Sequence, residues 1–342
     1  MVRFSVIIPV YNVAPYLREC LSSVVKATEQ LEKVVGVGVG VGQSRESPLV
    51  EVICVDDGST DGSGAILDEY KDQLEKIPLS HSNYSLQLSV LHQPNRGVSA
   101  ARNAALGVAT GDWICFLDGD DLFSPDMLAA GAKLIRENPD CDIVCVGAAV
   151  FADGDDSRQA KPFRGGLLNG VFCTGFYRRA KFADVRFPDF IVGEDRVYAA
   201  TCAFRTGRIA ESKTVGYLYR QRETSASHVA MTPRKARDSF LHVGEMLKIG
   251  AAGGRAPDAG FRRQLVAQAL EGGAVNCRLL AGAERREAER CWRACIADLR
   301  ERGLLTPWGN FVAGVLRLLP FGATALVLCV APYRLKRLGV HR

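Results

Sequence analysis

No CxxC pair occurs among the eleven cysteines of this 342-residue chain. An odd number, spread this widely, supports neither a disulfide framework nor a zinc ribbon. The tightest spacings, Cys141 with Cys145 and Cys291 with Cys295, lack the histidine or second cysteine pair of a closed zinc site. The cysteines are therefore expected to be small buried hydrophobes in a reduced, cytoplasmic protein. A strong charge of one sign is missing too. The net charge of +5 comes partly from the terminal Arg334, Lys336, Arg337 and Arg342, so no nucleic acid partner is indicated. The sequence enters the apolar run FSVIIPV after one basic residue, so no secretory leader is expected. The apolar tail over residues 308–333 is broken by Arg317 and Pro320, leaving only 321–332 uninterrupted. Stretches of about 10–14 apolar residues are more often interfacial, re-entrant or buried than spanning. The tail is expected on a membrane surface, with a core-packed helical hairpin as the alternative.

What is present is the composition of a globular protein, 47% hydrophobic and 24% charged. The length suits one large domain with an appendage or two modest ones. Apolar runs at 4–10, 50–55, 88–92 and 113–117 alternate with helical patterns at 15–27, 64–73 and 98–109. This alternation predicts an α/β fold with a mainly parallel sheet covered on both faces. The glycine-spaced segment 36–47 reads as a loop insertion or, alternatively, a hairpin edge weakened by glycine. SPDMLAAGAKLIREN predicts a helix capped by Ser124, with proline in the first helical position. Residues 142–150 form a further buried strand, 151–161 a polar loop, and 232–302 a helical region.

Two strands end in acidic loops. The second runs into VDDGSTDGS, which puts Asp56, Asp57, Gly58 and Ser59 at the carboxyl edge where open α/β sheets bind ligands. A carboxylate there can accept from a nucleobase or a ribose, or residues 57–61 can simply cap the next helix. An EF-hand spacing is also present, but a strand precedes it and Asp68 stands where the loop needs glutamate. The fourth strand, WICFLDGDD, ends in Asp118, Asp120 and Asp121. Three carboxylates this close repel one another unless a cation compensates them. Mg2+ or Mn2+, which prefer oxygen ligands and phosphates, would suit the site. Between the two loops lies HQPNRGVSAARNAAL, where Arg102 could counter phosphate charge or face a base, with Asn103 beside it.

In order, SVIIPVYN, VDDGSTDGS, NRGVSAARN and FLDGDD resemble the nucleotide-binding half of family 2 glycosyltransferases with the Rossmann-like GT-A fold. The resemblance implies that Pro9, Tyr11 and Asp57 line a nucleoside pocket, and that Arg102 lies near the base or diphosphate. Asp118 and Asp120 would then form a metal-binding DxD, Asp118 also touching the donor. The segment ending in GEDRVY resembles the family's acidic pair. By that likeness Asp195 is the general base of an inverting transfer, with Glu194 as support or runner-up. Arg220, Arg222 and His228, in or just after GYLYRQRETSAS, are possible contacts to donor phosphate or metal. The implied division is a nucleotide-sugar-binding half at 1–125, an acceptor-binding half at 126–231 and a helical extension with the apolar tail at 232–342. The implied donor is a UDP-sugar; the apolar tail and basic end point to a glycan or lipid-linked acceptor at the inner face of the plasma membrane.

Rival readings fare worse. A dinucleotide oxidoreductase needs GxGxxG after the first strand, where this chain has PVYN. A nucleotidylyltransferase needs a glycine-rich basic loop there. A scaffold subunit that kept the fold and lost catalysis would not be expected to retain Asp57, Asp118, Asp120 and Asp195.

Overall fold

The computed structural model describes residues 2–35, 49–76, 86–163, 172–206, 208–222, 232, 234–235, 237–238, 241–242, 245–246 and 280–301. The expectations for the 36–47 insertion, for the tail and for His228 fall outside the described residues. None of the described helices is long and apolar enough to cross a membrane. The chain divides into two compact units, Met1–Asp189 with Arg205–His228, and Phe190–Phe204 with Val229–Arg342.

In chain order the first unit holds β1 (Phe4–Val10), α1 (Ala14–Val35), β2 (Val50–Asp56), α2 (Ser63–Lys76), β3 (Leu86–His92), α3 (Val98–Val108), β4 (Trp113–Phe116), β5 (Leu122–Phe123), α4 (Met127–Glu137), β6 (Ile143–Ala152), β7 (Lys161–Phe163), β8 (Gly175–Arg178) and α5 (Arg179–Phe182). Helix α6 (Glu194–Thr206) begins in the second unit, β9 (Ile209–Gln221) returns to the first, and α7 (Gly282–Glu301) belongs to the second.

The described strands form one sheet in the order β3-β2-β1-β4-β8-β6-β9-β5, with β7 on β6. The β3-β2-β1-β4 half is parallel throughout. It is built from the apolar runs that the alternation predicts, with Phe4, Val6, Ile7, Ile8 and Val10 of β1 fully buried. A strand covered on both faces needs such an unbroken run. Strand β8 then turns antiparallel to β4, and β9 runs parallel to β6 and antiparallel to β5. Pro9 is tolerated in the central strand because β4 pairs β1 only as far as Ile7↔Phe116, followed by Leu117 N–H to the Ile7 carbonyl at 3.0 Å. A proline past that last rung removes no ladder bond.

Helix α1 runs eight residues beyond the expected end at 27, because its buried stripe of Leu17, Leu21, Val24 and Thr28 continues through Leu31. Each such aliphatic side chain contributes roughly 1.5–3 kcal/mol by leaving water. Helix α4 lies close on the sheet, and a Cβ on Gly131 would stand 2.5 Å from the Phe176 ring. The serine cap expected for this helix is not formed. Ser124 continues the β5–β9 pairing, its N–H reaching the Gly216 carbonyl at 2.8 Å and its hydroxyl the Val215 carbonyl at 2.7 Å. The helix accordingly starts at Met127 with Asp126 as N-cap. Cys20, Cys54, Cys115, Cys145, Cys173 and Cys202 are buried free thiols, as expected, whereas Cys141 and Cys291 are only half-buried; burial pushes the first five up.

Candidate functional site at the carboxyl edge of the sheet

Beyond β4 the chain makes a tight turn, closed by Asp121 N–H on the Asp118 carbonyl at 2.9 Å. The turn rests on the end of β1, since a Cβ on Gly119 would lie 3.0 Å from a Val13 methyl and 3.3 Å from the Pro9 carbonyl. Its three carboxylates have different fates. Asp118 accepts from Arg102 at 2.8 Å through Oδ1, and Oδ2 has no hydrogen-bond partner among the described residues. Asp120 pairs through Oδ2 with Arg222, again with the other oxygen unengaged among the described residues. Burial, and after it the charge of Asp118, raises the Asp120 carboxyl against the pull of Arg222. Asp121 is 1% exposed and fully spent, accepting from the Tyr217 hydroxyl at 2.5 Å and from Arg220 N–H at 2.7 Å. Burial, with the charges of Asp120 and Asp118, holds it well above the usual carboxylate range.

Arg102 sits behind Asp118 rather than out at the edge. Its side chain is 4% exposed, and its guanidinium lies 4.8 Å from the Phe172 ring and 5.2 Å from the Phe187 ring. Asn103 holds one of those rings in place, its amide donating to the Phe187 carbonyl and accepting Phe187 N–H, both at 2.8 Å. The arginine expected near base or diphosphate is thus committed to aiming a carboxylate.

Asp57 is likewise committed. It is 3% exposed and accepts from the Gln93 amide at 2.7 Å, Arg96 N–H at 2.8 Å and Gly97 N–H at 2.7 Å. It fixes the loop leading into α3. Gly58, at φ 71°, lies so near this loop that a Cβ would be 2.8 Å from Asn95 N. Asp61 does perform the capping considered from sequence, accepting Ser63 N–H at 3.0 Å at the start of α2 and Ala14 N–H at 2.9 Å at the start of α1. Tyr11 remains presented to solvent, 49% exposed. Beside it Asn12 adopts φ 52°, a conformation steadied by its Oδ1 accepting Thr60 N–H at 2.8 Å.

The end of β9 and the residue after it supply two further cations. Arg220 is 6% exposed, with its Nε on the Asp120 carbonyl at 2.9 Å, further nitrogens on Glu19 and Asp153, and its guanidinium 4.7 Å from the Phe151 ring. Arg222 pairs with the Asp120 carboxylate, as Arg102 does with Asp118, and it lies 4.8 Å over the Tyr16 ring. In the second unit, Glu194 and Asp195 open α6, and Asp195 Oδ1 accepts Arg196 N–H at 2.8 Å. The entry to that helix requires glycine: Gly193 has φ 87°, and a Cβ there would meet the His242 ring at 2.5 Å. Nearby, the fully buried Asp238 accepts Ile191 N–H at 2.9 Å.

Sequence reasoning missed Tyr217, Glu19, Tyr16, Asn12 and Phe187. Their only early signal was proximity to motifs, because each acts through a partner distant in the chain. Among the described residues no three His, Cys, Asp or Glu side chains cluster as a metal cage.

A model of glycosyl transferase family 2 matches residues 5–190, more than half of the chain. The chain belongs to this family. Among curated proteins it is 27% identical over 271 residues to the glycosyltransferase EpsJ of Bacillus subtilis, covering 72% of this chain and 68% of EpsJ. It is 33% identical over 141 residues to the glycosyltransferase GlyG of Streptococcus pneumoniae, covering 41% of this chain and 37% of GlyG. Over 229 residues it is 26% identical to the poly(ribitol-phosphate) beta-N-acetylglucosaminyltransferase TarS of Staphylococcus aureus, covering 64% of this chain and 35% of TarS. Apart from EpsJ, then, the match spans well under two-thirds of these relatives' lengths. The structure of TarS residues 1–349 in complex with UDP-GlcNAc superposes with a TM-score of 0.66 at 21% identity, over 98% of this chain and 92% of that one. The mannosyltransferase PcManGT of Pyrobaculum calidifontis, in complex with GDP-Man and Mn2+, superposes with a TM-score of 0.53 at 19% identity, over 95% and 86%. These likenesses establish the GT-A fold.

Proposed function

We propose that this protein moves a sugar, with inversion, from a nucleoside diphosphate donor onto an acceptor hydroxyl, and that the donor is a UDP-sugar. The carrying observation is the pair Asp118 and Asp120, each held through one oxygen by an arginine and each with the other oxygen unengaged among the described residues. That donor set fits Mg2+ or Mn2+, which bind through one or two carboxylates and complete their shell with phosphate oxygens and water. Such an ion would neutralise the departing diphosphate. The raised carboxyl of Asp120 supports the same reading, because a cation relieves the crowding that raises it. Exposed Tyr11 offers a stacking face for the nucleobase, Pro9 borders it, and Asp57 keeps the adjoining loop in shape. Arg222 faces the diphosphate side.

In the transfer the acceptor oxygen bonds to the anomeric carbon as the bond to the diphosphate breaks on the opposite face. The hydroxyl proton passes to the Asp195 carboxylate, with Glu194 in support. Acceptor chemistry of the glycan or lipid-linked kind fits an apolar tail followed by Arg334, Lys336 and Arg337 and suits the inner face of the plasma membrane.

A donor screen by thermal shift with manganese tests the reading, because a bound nucleotide sugar raises Tm by an amount that grows with the logarithm of its affinity. UDP-sugar turnover that requires manganese and disappears in Asp120→Ala is expected. Absence of turnover with every donor and acceptor offered, together with no thermal shift, would overturn it. A chain ending at residue 307 is expected to leave the membrane fraction; unchanged partitioning would remove the tail from this account.

A further inference from the structure

The carboxyl edge contains one titratable clasp that the transfer chemistry does not use. His92, the last residue of β3, lies between two carboxylates from different elements. Its Nδ1 is 3.0 Å from Asp56 Oδ2 at the end of β2, and its Nε2 is 3.1 Å from Asp68 Oδ1 on α2. A neutral imidazole donates from one nitrogen only, so both contacts are hydrogen bonds only when the ring is doubly protonated. The fit is close: a Cβ on Gly64, in the first turn of α2, would stand 2.7 Å from Asp56 Oδ2 and 3.5 Å from His92 Cε1.

From Asp56 a line of hydrogen bonds leads to the donor edge. Asp56 Oδ1 accepts Ser59 N–H at 2.9 Å, Ser59 Oγ accepts Asn12 N–H at 3.1 Å, and Asn12 Oδ1 accepts Thr60 N–H at 2.8 Å. Asn12 adjoins the exposed Tyr11.

We infer that His92 is a positioning residue for donor binding: its clasp on Asp56 and Asp68 holds the β2–α2 loop so that Ser59 and Asn12 present Tyr11 in binding geometry. The inference rests on the proposal that Tyr11 faces the nucleoside. Asp56 and Asp68 are the charged groups that act on the ring, and their hydrogen bonds raise the imidazole above its ordinary value of 6.5. A raised histidine contributes fully below the unfolded-state value and loses its contribution as pH rises through the folded-state value. Donor affinity should therefore weaken as pH rises above 6.5, opposite to the trend expected from a metal-binding carboxylate losing its proton.

The test is isothermal titration of the full chain with UDP-GlcNAc and magnesium, from about pH 5.5 to about pH 8.5, the interval in which histidine titrates. In this probe the phosphates are diesterified and do not titrate there. Wild type is expected to bind about two- to fivefold more weakly above the step, the size of a partly exposed ion pair. His92→Asn keeps a neutral donor toward Asp56 and should bind at every pH as wild type does at high pH. Asp68→Asn should move the step to lower pH. A wild-type profile without a step, or a step that persists in His92→Asn, overturns the assignment. Binding that fails at every pH removes the UDP-GlcNAc reading instead, and hydrogen exchange without ligand then decides. Ser59, Asn12 and Thr60 amides, corrected for intrinsic rate, should exchange about two- to fivefold faster above the step in wild type alone. Equal protection across the range overturns the clasp.

Discussion

At the amino-terminal edge of the sheet, Glu51 of β2 accepts from the Ser5 hydroxyl, from the Thr110 hydroxyl at 2.9 Å and from Gly111 N–H at 2.7 Å. Close to that edge Asp142 receives Thr206 at 2.6 Å, Arg178 at 3.1 Å and Arg208 at 3.3 Å. At the carboxyl edge, Asp118 and Asp120 receive one arginine each and crowd each other. Both edges are acidic, but one has its lone pairs filled from within the chain and the other keeps some in reserve. A carboxylate supplied by its own backbone and arginines is a joint; a crowded one with spare oxygens awaits a cation from outside. Asp121 sharpens the contrast, because it belongs to the acidic turn by sequence and to the joints by its bonds to Tyr217 and Arg220.

The strongest way to break this comparison is Asp120→Ala. It should lower turnover by about 10³-fold, the scale of losing a principal group that stabilises transition-state charge, and leave Tm within a few degrees. Steady-state rates at saturating manganese, with melting curves, check it. Asp195→Asn should cost about 10²-fold or more in kcat with donor affinity retained, as loss of a general base does. Full transfer by this variant would move the base elsewhere. Tyr217→Phe leaves Asp121 short of a donor in a buried site and should cost about 1–3 kcal/mol in urea melts, with weaker activation by manganese because the turn that carries Asp118 and Asp120 loosens. At the other edge Glu51→Gln should cost about 1 kcal/mol and leave kcat within about twofold. Equal kinetic damage at both edges would erase the distinction. The smallest effect is one of pH. Burial would raise Asp142, but the Thr206, Arg208 and Arg178 contacts outweigh it and lower the carboxyl below its ordinary 3.8. Its contribution is complete above 3.8 and is lost as pH falls through the lowered value, so acid melts of Asp142→Asn should flatten in that interval.

Much of this was legible in advance where the signal was local. Continuous apolar runs marked β1, β2 and β4, and acidic residues directly after them marked the edge. The destination of a side chain was legible only when its partner lay close in sequence. Arg102 could be placed on α3, but its burial depended on Phe172 and Phe187, far down the chain. The Ser124 cap gave way to pairing with β9, whose arrival some 90 residues later has no trace near Ser124. Propensity described the segment, and tertiary pairing overrode it. Asp57 lies at the edge as expected, but Gln93, Arg96 and Gly97 already take three of its acceptor sites. Spacing alone could not register that.

The buried cysteines give the first unit a built-in reporter. Cys20, Cys54, Cys115, Cys145 and Cys173 are shielded from solvent, and with their thiols held protonated they are slow to react. A thiol reagent applied in short pulses would modify them only in molecules whose sheet has opened. Mass spectrometry of the alkylated peptides would then time the opening of β1's neighbours and of β6 separately, with no engineered label.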